Sequence, residues 1–282
     1  MKRYFIEMNK QSIHITEWGS PDHPVIFCLH GLGSTSLSFI EQAERLRDEF
    51  RIISVDAPGH GKTAAFASGE QYEMNGMADW LNGVVEELGT SRFFFLSHSW
   101  GSFVALFFTA RFPHHVLDNI MIDGGYQGKR HSDLTMEEEV AYYEADFEQE
   151  WKSWDDFLAL VKSETLSWSD LKLEAAKDLY LEKRGHYYWH ARGETASHIV
   201  RAMYKDEAED IYHKLDSSIL LLRATLPQTL EKKRHRSAAI LQEKTGAGVK
   251  LIEGTHLLHW DYPEQVVEEI RNRWSNKEEH NI

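Results

Sequence analysis

The chain has 282 residues, of which 42% are hydrophobic and 12% aromatic, and this is enough for one large α/β domain or for one domain with a sizeable insertion. The formal net charge of −14 at pH 7 argues against a nucleic-acid or anionic-membrane partner, and we interpret it as a solvated acidic surface. No stretch approaches the ~20 apolar residues of a membrane span, and the first residues lack the apolar core of a signal peptide, so we expect a soluble, cytoplasmic protein.

The amino-terminal part of the chain predicts strands that alternate with helices. Residues 3–8 and 11–18 are typical of a hairpin that turns at Asn9-Lys10, because apolar and polar side chains alternate in the second stretch. Apolar runs and amphipathic spacing predict the next elements. These are strands 25–30 and 51–56 and helices 39–50 and 74–88. Such alternation implies right-handed crossovers and a mostly parallel sheet.

Cys28 is the only cysteine of the chain, so an intramolecular disulfide is excluded. It lies in the apolar run of residues 25–30, and we therefore expect a buried, inert thiol.

Residues 93–108 (FFFLSHSWGSFVALFF) predict a buried strand, a tight turn and a helix. Ser99 lies between two small residues, Ser97 and Gly101, which is the spacing of a nucleophile elbow with serine where glycine is usual. Such a turn is strained and has no room for bulk. It exposes Ser99 Oγ at the amino terminus of the helix, where free N–H groups favour developing negative charge. A serine that only caps the helix is the alternative explanation.

The pattern changes after a strand predicted at residues 118–123. Residues 126–213 contain no convincing strand and are rich in Glu, Lys, Trp and Tyr at helical spacing, which predicts an inserted cap of roughly four helices. We expect most of its aromatic residues, Tyr126 among them, to pack helices together and a minority to line a pocket.

The α/β pattern resumes after this segment. It predicts strand 217–225, helix 231–244, strand 249–254, helix 263–274 and a polar tail at residues 275–282. We therefore predict a core domain of residues 1–125 and 214–282 and a helical cap of residues 126–213.

Four short motifs occur in the order and spacing of one known family. They are His30-Gly31-Leu32-Gly33, Asp56-x-x-Gly59-x-Gly61, Ser97-x-Ser99-x-Gly101, and Gly254-Thr255-His256 before Pro263. With these motifs the chain resembles, over nearly its full length, the α/β-hydrolase superfamily with a helical cap. The resemblance implies a mostly parallel eight-stranded α/β-hydrolase sheet flanked by helices. We interpret Gly59 and Gly61 as part of a tight structural turn, because the surroundings lack the context of a phosphate loop.

His256 is the expected base for Ser99, because a serine hydroxyl is a poor nucleophile at neutral pH and His256 follows the last predicted strand. His259, three residues later, invites a metal site. No cluster of Cys, Asp or His supplies further ligands at zinc-like spacing, so we expect neither a metal nor a cofactor and interpret His259 as a packing residue. His98, beside Ser99, fits a pocket-lining histidine and a surface-loop histidine equally.

The acid is where this sequence departs from most of the family, in which a carboxylate follows the strand written here as ILLLRAT. The chain continues with Leu226-Pro227-Gln228-Thr229, and Glu231 is the first acid. Asp123 instead closes the strand after the elbow helix, and some branches of the family place the acid there. We predict Asp123 as the acid, with Glu231 second and Asp216 third. The alternative is that Asp123 only caps a turn.

The resemblance implies a serine hydrolase that cleaves a small carboxylic ester or related acyl bond through an acyl-enzyme. The predicted triad is Ser99, Asp123 and His256, and the backbone N–H groups of Leu32 and Trp100 would form the oxyanion hole. We expect a small-molecule substrate that is apolar or aromatic, and a monomer or homodimer.

Other functions remain open on the same fold. Ser99-Trp100-Gly101-Ser102 resembles the elbow of proline iminopeptidases, but the late aspartate is missing. Ser97-His98-Ser99 with an early aspartate resembles cofactor-free quinolone dioxygenases, in which a His/Asp pair deprotonates a heterocycle. A third alternative is a non-enzymatic ligand sensor with a hydrolase pocket. The intact serine and histidine favour catalysis.

Overall fold

The computed structural model describes residues 1–215 and 218–275. Asp216, the third candidate for the acid, and the predicted tail beyond Ser275 lie outside the described residues. The strands of the described part have the following bounds. They are β1 Lys2–Met8, β2 Gln11–Trp18, β3 Val25–Leu29, β4 Arg51–Val55, β5 Phe93–His98, β6 Val116–Ile122, β7 Tyr180–Lys183, β8 His186–Trp189, β9 Ile219–Ala224 and β10 Gly248–Ile252.

Eight of these strands form one sheet, in the order β1-β2-β4-β3-β5-β6-β9-β10. The β1–β2 and β2–β4 pairs are antiparallel, and every later pair in that order is parallel. The predicted mostly parallel eight-stranded sheet is therefore confirmed. The six strands β4, β3, β5, β6, β9 and β10 run in the same direction. Their carboxyl ends therefore meet at one end of the sheet, where α/β proteins bind their ligands.

Helices cover both faces of the sheet. The α-helices are α1 Ile40–Leu46, α2 Met74–Glu87, α3 Trp100–Arg111, α4 Met136–Phe147, α5 Trp154–Ser163, α6 Asp170–Ala176, α7 Gly193–Lys205, α8 Glu231–Thr245, α9 Leu258–Asp261 and α10 Pro263–Ile270. The buried side chains of α2, α3 and α8 share one apolar cluster, and those of α1 and α10 share another. Within the described residues, no helix has both the length and the apolar character needed to cross a membrane.

The apolar strands explain why the sheet is buried on both faces. In β5, Phe93 and Phe95 join the cluster beneath α2 and α3, whereas Phe94 and Leu96 join the opposite cluster. Successive side chains of a strand point to opposite faces, so a continuous apolar run is needed to fill both clusters. Cys28 of β3 is fully buried, and this burial raises the pKa of its thiol far above the usual value, as expected for an inert cysteine.

The segment between β6 and β9 contains helices α4 to α7 and also a two-stranded antiparallel sheet, β7–β8. The prediction that residues 126–213 contain no strand is therefore wrong. The hairpin turns at Arg184-Gly185, whose φ angles of 56° and 79° are both positive, as in a type I′ turn. Trp189 of β8 packs on Phe157 of α5, with ring centroids 5.0 Å apart. The aromatic residues fit helical spacing in the sequence, and the arginine-glycine turn is the signal that identifies the hairpin.

This inserted segment contacts the carboxyl end of the sheet at two places described here. Phe147, at the end of α4, packs on Gly33, where an added Cβ atom would lie 2.7 Å from the phenyl ring. Asp261, at the end of α9, accepts hydrogen bonds from Thr165 Oγ1 at 2.8 Å and from the Leu166 N–H at 2.7 Å. The inserted segment therefore contacts both the glycine motif after β3 and the loop region after β10.

Candidate active site

Ser99 occupies the tight turn between β5 and α3. Its φ of 50° and ψ of −123° lie outside the regions that residues with a side chain usually adopt, so the surrounding structure must hold them. The Ser99 N–H donates to the Ile122 carbonyl oxygen of β6 at 3.1 Å. A Cβ atom at Gly101 would collide with carbonyl oxygens at the end of β3, and one at Gly124 would collide with the Ser99 backbone. The turn is therefore enclosed by neighbouring backbone.

Ser97 stands where the family usually has glycine, and the structure accommodates its hydroxyl group. The side chain is fully buried, and Ser97 Oγ donates to Ser102 Oγ at 3.0 Å. Because the buried hydroxyl has a partner, its burial leaves no unsatisfied polar group. The departure from glycine is therefore compatible with the turn.

The loop after β10 holds His256 through its neighbours. Asp261 Oδ2 accepts from the Thr255 N–H at 2.6 Å and from Thr255 Oγ1 at 2.7 Å. His98 Nε2 donates to the His256 carbonyl oxygen at 2.9 Å. This last bond ties the histidine loop directly to the residue that precedes Ser99.

Ser99, His256 and Asp123 form one hydrogen-bonded chain. His256 Nε2 lies 2.7 Å from Ser99 Oγ, and His256 Nδ1 lies 2.7 Å from Asp123 Oδ2. An ionised carboxylate only accepts, so Nδ1 carries the proton and Nε2 accepts from the serine hydroxyl. The side chain of Asp123 is fully buried, whereas that of His256 is 44% exposed. The structure thus brings the predicted triad residues together, with the histidine tautomer that a general base requires.

Further donors hold the carboxylate of Asp123. Tyr126 O–H at 2.8 Å and the Ala224 N–H at 3.1 Å donate to Oδ1, and Arg234 Nη2 lies 3.3 Å from Oδ2. Burial alone would raise the pKa of Asp123, but His256, and after it Arg234 and Tyr126, hold this pKa below its usual value. Burial and the neighbouring carboxylate raise the pKa of Tyr126 far above the usual value, so its hydroxyl remains a donor.

Glu231, the second candidate for the acid, pairs with Arg223 instead of a histidine. The two guanidinium nitrogens Nη1 and Nη2 of Arg223 donate to the two carboxylate oxygens of Glu231 at 2.8 and 2.7 Å. The hydrogen bond from Arg223 lowers the pKa of Glu231. The Arg223 side chain is only 1% exposed, so Glu231 neutralises a buried charge. Asp123 is therefore the acid in contact with His256.

His98 is buried beside His256, and His259 is buried against His98. The His98 ring centroid lies 4.8 Å from that of His256 and 4.4 Å from that of His259. Burial lowers the pKa of His98 to about 3 and lowers the pKa of His259 well below its usual value, so both rings are neutral at pH 7. His259 Nε2 lies 2.9 Å from Ser38 Oγ. His98 is therefore a pocket-lining residue and not a surface-loop histidine, and His259 is a packing residue.

Across residues 1–215 and 218–275, no three His, Cys, Asp or Glu side chains are grouped so that they could hold a metal ion.

Leu32 and Trp100, the predicted sources of the oxyanion-hole N–H groups, both lie beside Ser99. Trp100 is the first residue of α3, and N–H groups in a first helical turn lack an acceptor within the helix. Leu32 follows Gly31, where an added Cβ atom would lie 3.0 Å from Ser99 Cβ. His30 braces this loop, because its Nδ1 donates to the Gly31 carbonyl oxygen at 2.7 Å and its Nε2 accepts from a backbone N–H after β4.

The glycines of the Asp56 motif have the structural role that we predicted. Asp56 Oδ2 accepts from the Lys62 N–H at 2.9 Å and lies 2.7 Å from His14 Nδ1. Gly61 has a φ of 51°, and a Cβ atom there would collide with the Asp56 carboxylate. The motif is therefore a turn that closes around its own aspartate.

A cavity of about 830 Å³ opens onto Ser99 and His256. The inserted segment supplies much of its apolar lining, including Tyr142, Tyr143, Phe147, Leu179, Trp189 and Met203. The basic side chains in the lining each pair with an acid, in the pairs Lys129–Glu139, Lys233–Asp133 and Arg234–Asp123. Burial raises the pKa of two further acids in the lining, Asp146 and Glu164. The cavity therefore combines an aromatic wall with paired charges.

Sequence analysis missed two residues that contact Asp123. Tyr126 follows the acid by three positions, but the sequence contains many aromatic residues beyond it and nothing distinguishes this one. Arg234 lies within KKRHR at residues 232–236, where the pattern indicates only a basic helix surface. Arg234 carries no local signal, because its contact with Asp123 depends on where α8 lies relative to the loop after β9.

The comparisons with known proteins agree with this architecture. A family model described as the alpha/beta hydrolase fold matches residues 24–174, which is more than half of the chain. The chain therefore belongs to the α/β-hydrolase fold family.

Among curated relatives, the serine hydrolase-like protein of Homo sapiens is 32% identical over 106 residues, which are 38% of this chain and 52% of that protein. Epoxide hydrolase 4 of Mus musculus is 24% identical over 110 residues, which are 39% of this chain and 31% of that protein. The chain thus matches about half or less of the length of these relatives.

Solved structures extend the likeness of fold over nearly the whole chain. The thioesterase domain from the curacin biosynthetic pathway has a TM-score of 0.79 at 17% identity, covering 96% of this chain and 99% of its own. E-2-(acetamidomethylene)succinate hydrolase has a TM-score of 0.76 at 20% identity, covering 97% of this chain and 99% of its own. At these identities the likeness shows the fold alone.

We expect Gly101→Ala to lower the free energy of unfolding by about 1–3 kcal/mol, because the added methyl group must push α3 away from the end of β3. Gly248→Ala is the matched control, since its Cβ atom would meet Leu220 Cδ1 at 3.4 Å and the Ile219 carbonyl oxygen at 3.8 Å, both ordinary van der Waals contacts. We expect a change within about 0.5 kcal/mol. Urea unfolding monitored by circular dichroism compares the two. Equal midpoints would contradict the close approach of backbone at Gly101.

We expect Glu231→Gln to lower the free energy of unfolding by about 1–3 kcal/mol, because the buried guanidinium of Arg223 loses its charged partner. Glu268→Gln, at an exposed position of α10, is the control and should leave stability within about 0.5 kcal/mol of the parent. Thermal and urea unfolding measure both effects. A Glu231→Gln protein as stable as the control would show that the Arg223 pair contributes little.

Proposed function

We propose that this protein is a serine hydrolase that cleaves a small carboxylic ester or related acyl bond through an acyl-enzyme. The observation that supports this most is the continuous chain from Ser99 Oγ through His256 to Asp123, with both hydrogen bonds at 2.7 Å. The chain ends at the mouth of a cavity large enough for a small organic substrate. A serine that only capped α3 would need neither the histidine nor the cavity.

The first half-reaction transfers the acyl group to Ser99. His256 Nε2 takes the hydroxyl proton as Ser99 Oγ attacks the carbonyl carbon of the substrate, and the carbonyl oxygen becomes an oxyanion. The N–H groups of Leu32 and Trp100 donate to this oxyanion, where they are most effective because the charge exists only in the transition state and intermediate. The tetrahedral intermediate then collapses, and His256 returns the proton to the leaving alcohol.

The second half-reaction releases the acid. His256 Nε2 takes a proton from water as the water oxygen attacks the acyl carbon, and it then returns the proton to Ser99 Oγ when the ester bond breaks. Asp123 holds Nδ1–H throughout and stabilises the imidazolium that forms in each half. No step needs a metal or cofactor.

The inserted segment acts as the helical cap in this proposal. In this division residues 126–213 are the cap, and residues 1–125 with 214–215 and 218–275 are the described part of the core. Phe147, Leu179 and Trp189 of the cap line the cavity. An apolar or aromatic acyl or alcohol group fits such a wall best, because burying it removes apolar surface from water. The substrate class proposed is therefore a small molecule with an apolar or aromatic group on one side of the scissile bond.

Ser99→Ala is expected to abolish labelling by a fluorophosphonate probe and hydrolysis of short aryl esters, because Ser99 Oγ is the hydroxyl that His256 Nε2 contacts. Ser163→Ala, at the exposed end of α5, is the control and should keep both activities. Mass spectrometry of the labelled protein locates the adduct, and an ester, thioester and amide panel defines the bond. Labelling or turnover that survives in Ser99→Ala would rule out this nucleophile.

Replacement of the acid gives a second expected outcome. Asp123→Asn should lower kcat on the order of 10³–10⁴-fold, because the amide cannot hold the same tautomer or stabilise the imidazolium. Glu231→Gln should keep kcat within about tenfold of the parent, since its carboxylate bonds Arg223. Steady-state kinetics on one aryl ester, at a temperature where both variants are folded, compares them. A larger loss of kcat in Glu231→Gln than in Asp123→Asn would instead identify Glu231 as the acid.

A further inference from the structure

Arg234 of α8 is a buried cation in contact with the acid of the triad. Its side chain is 4% exposed, and its Nη1 donates to the Leu226 carbonyl oxygen at 2.5 Å. Its Nη2 lies 3.3 Å from Asp123 Oδ2, which is the same oxygen that accepts from His256 Nδ1. A single carboxylate oxygen is therefore shared between a permanent cation and the imidazole.

Arg234 is the cation that balances the negative charge of Asp123. Arg223, the other buried arginine nearby, is already neutralised by the bidentate contact with Glu231. In the described part of the chain, Asp123 is the one acid within 4.0 Å of the Arg234 guanidinium. The carboxylate that His256 faces is thus half of a neutral ion pair.

Few other charges face His256. His98, from the end of β5, packs beside it, and His259, from α9, packs on His98. Burial lowers the pKa of each of these two rings, so both are neutral. The acids that lie on the other elements around His256 include Glu164, at the end of α5, and Asp261 of α9, which accepts from Thr255. Within residues 1–215 and 218–275, Arg234 is the cation of α8 that lies within 4.0 Å of the carboxylate that His256 faces.

We propose that Arg234 is a positioning residue that keeps His256 unprotonated, and so able to act as a base, at lower pH than Asp123 alone would allow. A carboxylate beside an imidazole favours the protonated imidazolium, and a guanidinium on the same oxygen opposes it. The hydrogen bond from Arg234 to Leu226 and the ion pair with Asp123 also hold the guanidinium between the two residues. The kinetic part of this inference rests on the proposed function, because it treats His256 as the base for Ser99.

The sign of the effect distinguishes this role from substrate binding. If Arg234 is replaced by a neutral residue, the imidazolium loses a repulsive neighbour, and His256 binds its proton at higher pH. The expected displacement is about one pH unit to the alkaline side, from the size of the interaction between charges at this range in a partly exposed site. An arginine that only bound a substrate carboxylate would change KM and leave the pH dependence in place.

The test measures the rate constant for fluorophosphonate inactivation between pH 4.5 and 9 in four proteins. They are the parent, Arg234→Met, Arg234→Lys and Arg236→Met, the last of which removes the same charge from an exposed site on the same helix. The midpoint should rise by about one pH unit in Arg234→Met alone, so that reactivity in the acid range falls about tenfold. Arg234→Lys should restore the parent midpoint because it restores the charge. An unchanged midpoint in Arg234→Met, or an equal rise in Arg236→Met, would overturn the proposal.

A second measurement separates this inference from the proposed function. In Ser99→Ala protein, the imidazole signals of His256 are titrated by NMR with and without Arg234→Met, and this readout needs no reaction. If the fluorophosphonate probe does not label the parent protein, the proposed function is wrong. The role of Arg234 would still be supported if the His256 titration moves to the alkaline side in Arg234→Met. If Arg234→Met does not fold, Arg234→Gln makes the same comparison, since its amide can still donate to Leu226. A titration that does not move in the folded variant overturns the proposal.

Discussion

The site depends on one steric constraint, which is the close approach of three backbone segments around Ser99. Gly31, Gly101 and Gly124 leave no room for a Cβ atom, and the ends of β3, β5 and β6 can meet only because these positions lack side chains. The parallel order of the strands brings these ends together in the first place. The unusual dihedral angles of Ser99 are thus maintained by packing. They direct the serine hydroxyl at His256, which is distant in sequence.

The buried acid poses the opposite problem, because a carboxylate removed from water is costly unless it is hydrogen-bonded. Asp123 meets this requirement with hydrogen-bond donors from the loop after β10, from Tyr126 after β6 and from the backbone of β9. Arg234 of helix α8 adds an ion pair. Each donor fixes the carboxylate in one direction, so its orientation is determined by the whole end of the sheet. A displacement of any of these elements would therefore move the Asp123 side chain, and with it the hydrogen bond to His256.

Local patterns in the sequence predicted much of this arrangement. The apolar runs predicted the strands of the large sheet, and the spacing around Ser99 and His256 predicted residues that lie in contact in the structure. What local patterns could not predict are contacts between distant segments that have no periodic signal, such as Arg234 with Asp123. The hairpin β7–β8 was missed for a different reason. Tyr187 and Trp189 suit helical and extended spacing equally, and packing against α5 selects the strand.

The carboxylate of Asp261 links two parts of the chain that are far apart in sequence. One of its oxygens binds Thr255, next to His256, and the other binds Thr165 and Leu166 in the inserted segment. The insertion is consequently not an exchangeable module, although its position between two strands suggests one. A chimaera that received a foreign insertion would leave Asp261 with an unmatched oxygen beneath the histidine loop, and graft boundaries would have to keep residues 165–166 with the native core.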